Sequence, residues 1–188
     1  MTGRDELLNC RRILVIGCCG SGKSTFGRIL GSRLNRKVIH LDRHFWKPGW
    51  IMREPDEFEN TVRELISGDE WIIEGNYSGT LSLRAMRADF IFFYDYSSFF
   101  CVYRILKRSF KTRLGLERRQ DITEGCNEKW FDKEFLDFIK FTWNFKKVTT
   151  PRNYRTLEEI NFDKEKLLVF KKRSEEKEFI RKLLQWTK

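Results

Sequence analysis

The residues Gly17-Cys18-Cys19-Gly20-Ser21-Gly22-Lys23-Ser24, followed by Thr25, carry the clearest chemistry in the chain. They fit the spacing GxxxxGK[ST], and each residue type has a mechanical reason. The glycines let the backbone turn sharply and present N–H groups to phosphate oxygens. A helix opening near Gly22 aims its positive dipole end at the same anion. Lys23 can reach the β- and γ-phosphates, and the Ser24 hydroxyl can ligate Mg²⁺. The motif is flanked as that mechanism requires: Ile13-Leu14-Val15-Ile16 reads as a buried strand, and Phe26, Ile29, Leu30 and Leu34 supply the apolar side of a helix ending at Asn35. The expectation is a nucleoside triphosphate site held by Gly17 through Thr25.

Two acids at strand ends extend that site. Lys37 to Asp42 reads as a second strand closed by Asp42, and Trp71 to Tyr77 as a third that carries Glu74. Ligands of open α/β sheets bind beyond the carboxyl ends of the strands, which points both acids at the phosphate loop. Asp42 either faces the acceptor or caps a turn. Glu74 either orders the Mg²⁺ shell, if its strand lies beside the first, or forms a salt bridge with a neighbouring base.

The elements that must position these groups follow one another as βα steps. Between the two acids, the aromatic and basic run 43–50 either walls an acceptor pocket or packs beneath a loop. A helix then opens with Glu54-Pro55-Asp56-Glu57 and buries Phe58, Val62, Leu65 and Ile66. After a short polar helix from Ser78 to Met86, Phe90 to Tyr96 is a nearly apolar fourth strand. The next helix, Ser98 to Leu114, has an apolar stripe of Phe99, Val102, Tyr103, Leu106 and Phe110 expected to face the core, with Arg104, Lys107, Arg108 and Lys111 opposite. Arg118 and Arg119 sit in a polar stretch bounded by Gly115 and Gly125, the pattern of an arginine-bearing lid. Helices are expected from Glu128 to Phe145 and from Pro151 to Ile160. The aromatic residues of the first, including Phe135, Phe138, Ile139 and Trp143, read as core. A fifth strand, Leu167 to Phe170, and a last helix capped by Ser174 complete the chain.

The 188 residues suit one domain, 1–188, with a sizeable core. The net charge of +10 favours anionic partners, nucleotides first, with weak non-specific nucleic-acid binding as a corollary. No helix-turn-helix, zinc-finger or RNA-binding signature is visible, and no N-K-x-D guanine-reading motif occurs. No apolar run approaches the roughly 18–20 residues of a membrane span. The first residues lack the apolar centre of a signal peptide, so a cytoplasmic protein is expected. The five cysteines, an odd number without a C-x₂-C pair, fit free thiols in a reducing compartment.

Taken together, GCCGSGKST, VIHLDRHFWKPGW, WIIEGNYSGTLSLR, ADFIFFYDY and DITEGCNEKW resemble the FlaR-like proteins, known as DNA topology modulation proteins, within the adenylate kinase-like and shikimate kinase-like phosphate-loop kinases. The resemblance runs from about Arg12 to the last helix. It implies a three-layer α/β fold with helices on both faces of a five-stranded parallel sheet in the order 2-3-1-4-5. It further implies an ATP-dependent transfer of the γ-phosphoryl group to a small hydroxyl or phosphate acceptor, with ATP and Mg²⁺ as cofactors. The acceptor region falls near 43–66 and the lid near 115–128. Lys23, Asp42, Arg118 and Arg119 would be the catalytic groups, and Ser24 and Glu74 the metal-holding ones, through bound water. Glu74 departs from the family's Asp-Gly pair, and His40 replaces the first acid of the Asp-x-Asp of shikimate kinases. The family name also brings a rival reading, a nucleotide-dependent DNA-binding regulator.

Overall fold

The structure, a computed structural model, describes residues 4–116, 123, 125, 126 and 132–186. A short helix α1, Arg4–Asn9, precedes strand β1, Arg12–Gly17, which leads through the phosphate loop into α2, Lys23–Leu34. Strand β2 is Val38–His40, followed by one turn of helix, α3, Asp42–Phe45. Two short strands, β3 (Trp46–Lys47) and β4 (Ile51–Met52), pair as an antiparallel hairpin where the sequence suggested irregular chain. Then come α4, Pro55–Leu65, β5, Trp71–Glu74, and α5, Leu81–Ala85, entered through a 3₁₀ turn at Ser78–Thr80. The chain continues with β6, Phe90–Tyr94, α6, Ser98–Arg113, α7, Lys133–Glu159, β7, Leu167–Phe170, and α8, Arg173–Trp186.

The main sheet has five parallel strands in the order β2-β5-β1-β6-β7, which is 2-3-1-4-5 when its strands are counted along the chain. Alternation in β1 divides the core. Ile13 and Val15 pack with Phe26, Phe92, Phe170, Phe179 and Leu183 beneath α2 and α8. Leu14 and Ile16 pack with Phe58, Val62, Ile73, Phe93 and Leu157 beneath α4 and α7. Burying a side chain of this size contributes roughly 1.5–3 kcal/mol, so both faces must be covered for the central strands to be stable. At the amino ends of the strands, Asp89 ties β1 to β6: it accepts from the N–H groups of Arg11 (2.9 Å) and Arg12 (2.8 Å) and from Arg12 Nη2 (2.7 Å). No helix among the described residues is long and apolar enough to cross a membrane.

Three local expectations are corrected. In α6 the apolar stripe faces outward, with Phe99 72% and Tyr103 53% exposed, while Cys101, Ile105 and Ser109 are buried. The reason is close packing on the phosphate loop. A Cβ at Gly20 would lie 2.5 Å from the carbonyl oxygen of Cys101 and 2.8 Å from Cγ1 of Ile105, so α6 presses its Cys101–Ile105 face on the loop at a distance only glycine at position 20 allows. Contact with the loop, not the apolar count, sets the rotation of the helix.

Next, the two helices expected around Pro151 are one, with the proline inside α7. Proline removes the bond to the carbonyl of Lys147, but Lys147 is exposed and water can serve that oxygen. Of the aromatic residues expected in the core here, Trp143 is exposed, and Thr142, Phe145, Thr150, Asn153 and Leu157 are the buried positions of α7. Finally, α8 starts before Ser174, and its entry is capped by Glu175, whose carboxylate accepts from the N–H groups of Lys171 (2.7 Å) and Lys172 (3.2 Å).

Candidate functional site

The phosphate loop lies at the carboxyl end of β1, between β5 and β6, where the sheet order reverses and ligands of such sheets bind. Helix α2 starts at Lys23 with Gly22 as its N-cap and no side-chain cap, so the first-turn N–H groups are of the kind that meet phosphate. Gly22 has φ 109°, and a Cβ there would come within 2.9 Å of Arg104 Nη1. Glycine is favoured at this position by its conformation, and the absence of a Cβ leaves room for that guanidinium.

Lys23 is buried and its ammonium donates to the carbonyl oxygen of Cys18 across 2.8 Å. Burial works against the charged form, but the combined field of Cys19, Glu74, Cys18 and Asp42 outweighs it and holds the pKa above its ordinary value. The lysine is therefore a fixed positive charge at the loop. Ser24 Oγ donates to Glu74 Oε1 at 2.9 Å, and His40 Nδ1 meets the same oxygen at 2.8 Å. Strand β5 does lie beside β1, as a metal-shell role for Glu74 requires, and its partners are a hydroxyl and an imidazole instead of a lysine or arginine. Of the other loop residues, Cys18 packs under α6, its thiol pushed up by a hydrogen bond with Cys101 and by burial, Ser21 is fully buried, and Thr25 is exposed on the first turn.

Asp42 sits two residues beyond the end of β2, in the first turn of α3, and accepts from the hydroxyl of Tyr77 at 2.5 Å. Burial, then Asp42, pushes the Tyr77 phenol up, so the tyrosine remains the donor. Tyr77 occupies the left-handed region at φ 36°, unusual for a bulky residue. It is held there by Arg84, fully buried on α5, whose guanidinium donates to the carbonyls of Thr80 (3.2 Å), Gly75 (3.0 Å), Asn76 (2.5 Å) and Tyr77 (2.8 Å). Asn76 completes the β5–α5 loop. Its Oδ1 accepts from the N–H of Gly17 (3.3 Å) and from Asn153 Nδ2 (2.7 Å), joining the phosphate loop to α7.

Two sides of the site are closed by other segments. Arg104 of α6 donates to the carbonyl oxygen of Ser21 at 2.8 Å. On the other side, Thr123 Oγ1 bonds the carbonyls of Trp46 (2.6 Å) and Arg43 (3.2 Å), Cys126 Sγ that of Lys47 (3.4 Å), and Gly49 N–H the carbonyl of Gly125 (3.3 Å). The expected lid stretch thus touches the expected acceptor region. Arg118 and Arg119 lie outside the described residues.

The structure brings together Gly17 to Thr25, Glu74 and Asp42. The sequence reading kept Arg104 only as a reserve for the lid arginines, on the basic side of its helix, and gave no site role to Asn153 or His40. Asn76 and Tyr77 did carry a signal, inside the motif GNYSGTLSLR.

Mg²⁺ fits the donor set. Ser24 and Glu74 offer hard oxygens, and among the described residues no group of three or more His, Cys, Asp or Glu forms a cage. One or two protein oxygens completed by phosphate and water is the way this ion is bound beside nucleotides.

No family model matches the chain, and no curated protein does. Among solved structures, the shikimate kinase from Acinetobacter baumannii in complex with shikimate aligns with a TM-score of 0.58 and 16% identity, over 97% of this chain and 96% of that one. The chain has the shikimate kinase fold. A shikimate kinase from Bacteroides thetaiotaomicron aligns with a TM-score of 0.49 and 16% identity, over 94% and 97% of the two chains. The narrower resemblance to FlaR-like proteins rests on the sequence motifs alone.

Proposed function

We propose that the chain is an ATP-dependent phosphotransferase that moves the γ-phosphoryl group to a small acceptor, and that it is a FlaR-like member of the phosphate-loop kinases. The observation that carries this reading is the convergence of Lys23, Ser24 and Glu74 at one end of the loop, with Arg104 reaching in from α6. The loop N–H groups and Lys23 bind and orient the triphosphate, and Lys23 leaves the Cys18 carbonyl for phosphate oxygen as it does so. Ser24 and Glu74 would hold Mg²⁺, Glu74 through water; when bound, the ion neutralises charge on the β- and γ-oxygens. Asp42 orients the acceptor and accepts its proton. Arg118 and Arg119 act from the lid, near 115–128, against the acceptor region near 43–66, within a single kinase domain. The five free cysteines accord with a cytoplasmic setting.

Calorimetry with ATP and Mg²⁺, on the protein and on Lys23→Ala, tests the reading. Saturable binding that depends on Lys23 is expected, together with Lys23-dependent transfer of label from γ-labelled ATP. Failure to bind ATP would remove it.

A further inference from the structure

We propose that His40 is a positioning residue of the phosphate site: it holds one oxygen of Glu74 and so keeps the other available to the water shell of Mg²⁺. The inference rests on the kinase reading above and on the metal-holding part which that reading gives to Glu74. It adds a residue that the reading leaves without a part.

The sheet builds this contact. β2 and β5 are parallel neighbours, and their register sets His40 beside Glu74. The pairing continues past the strand end, where the N–H of Leu41 donates to the carbonyl of Glu74 across 2.9 Å. With side chains only 10% and 4% exposed, little water can stand in for either partner. Helix α2 closes over the pair. A Cβ at Gly31 would lie 2.5 Å from Cγ2 of Val38, and one at Gly27 would lie 3.3 Å from Cγ1 of Val38 and 3.8 Å from Cβ and Cγ of Glu74. These two glycines, about one turn apart, let α2 lie close on β2 and on the stem of Glu74. With the stem packed, the loosest motion left to the side chain is rotation of the carboxylate about its last bond, a broad torsion that packing fixes poorly.

Hydrogen bonds fix that rotation. Glu74 Oε1 accepts from Ser24 Oγ at 2.9 Å and meets His40 Nδ1 at 2.8 Å. A carboxylate oxygen only accepts, so Nδ1 carries the proton and donates. Oε2 accepts from none of the described residues. Ser24 is the weaker anchor of the two. Its hydroxyl turns about a single bond, and its oxygen is itself a metal-holding group of the loop. His40 stands outside the loop, on a strand whose place is set by pairing to β5. A residue that orients a metal-holding group in this way, without touching the metal, is typically worth roughly ten- to a hundredfold in metal affinity.

ATP titrations of the full chain, with Mg²⁺ and in EDTA, test the assignment. The readout is the ratio of the two affinities: damage to the fold weakens both, whereas a misdirected Glu74 weakens only the first. His40→Leu removes the donor and should lose about tenfold of the Mg²⁺-dependent gain. His40→Asn places an amide N–H where Nδ1 stood and should keep most of that gain. His40→Gln carries the amide one carbon further, near the place of Nε2, and should behave as leucine does. The asparagine–glutamine comparison decides alone if leucine upsets folding. In a Glu74→Gln background, His40→Leu should cost little more, because it acts through a carboxylate already removed. Equal losses with Mg²⁺ and in EDTA would make His40 a residue of the fold and overturn the proposal. A wild-type ratio in both His40→Leu and His40→Gln, or an undiminished loss in the Glu74→Gln background, would overturn it too. Each of these results leaves the kinase reading standing, whereas a wild-type protein that binds no ATP removes both.

Discussion

Ser24 Oγ and Glu74 Oε1 are joined across 2.9 Å, which ties the first turn of α2 to the end of β5. That carboxylate oxygen also meets His40 on β2 at 2.8 Å, so a single atom gathers groups from three elements. The length of the glutamate side chain lets it reach the loop hydroxyl directly. In Glu74→Gln the size is kept and the charge removed. ATP affinity in the presence of Mg²⁺ should fall about tenfold or more, while affinity in EDTA changes little. Parallel calorimetric titrations with and without Mg²⁺ check this, and equal losses in both would assign Glu74 to the fold.

Lys23→Ala should weaken ATP binding by about a hundredfold, the equivalent of roughly 2.7 kcal/mol. The folded state should lose little, because removing a buried ammonium also removes the cost of its burial, and the Cys18 carbonyl gives up one donor only. Thermal melting without nucleotide, set beside calorimetry with it, separates the two effects. A large drop in melting temperature would mean that the lysine is a structural strut.

Arg104 and the pair Arg118 and Arg119 should differ in kind. Arg104 already touches the loop at Ser21, so Arg104→Ala should raise the dissociation constant for ATP several-fold. Arg118→Ala and Arg119→Ala, if these residues act in the transition state, should lower kcat and kcat/KM together, by about 10³-fold for the arginine that meets the transferring phosphoryl group, and leave ATP affinity nearly intact. Turnover and ATP binding measured on each variant decide; wild-type turnover in both lid variants would remove them from the chemistry.

Acid should loosen the fold at Asp89. Burial alone would raise its pKa, but Arg12 and the N–H groups of Arg11 and Arg12 bring it below the ordinary carboxylate value. A depressed folded pKa means stability present above the unfolded pKa, near 3.9, and lost as pH falls through the folded value. Asp89→Asn should therefore cost about 1 kcal/mol at neutral pH, after allowing for solvent screening, and the difference from the wild type should close below about pH 4. Urea denaturation across that range measures it; a constant difference down to acid pH would show that the ion pair contributes nothing.

Duplex DNA should bind weakly, and the affinity should collapse as salt rises, because the +10 charge acts through phosphates without a reading element. Filter binding or anisotropy over a salt series tests this. Sequence-selective binding that survives physiological salt would favour the regulator instead.

The sheet order was legible only through the resemblance to phosphate-loop kinases; sequence alone determined the strand–loop–helix from Ile13 to Leu34 and the acids at the ends of β2 and β5. Those features are local: a four-residue apolar run, a glycine spacing and an amphipathic period each act within a few residues. It did not determine which way α6 faces, because the stripe Phe99, Tyr103, Leu106 and Phe110 is a stronger apolar signal than Cys101, Ile105 and Ser109, yet the second set is buried, with Cys101 and Ile105 against Gly20. Nor did it show that Pro151 lies inside a helix, which depends on Lys147 being exposed to water. The tertiary structure alone brought Tyr77 to Asp42, His40 to Glu74 and Arg104 to Ser21, partners separated by 35, 34 and 83 residues. No local period encodes such pairs; they exist because the parallel sheet carries the ends of β1, β2 and β5 to one edge, where a few side chains meet under packing that the whole core enforces.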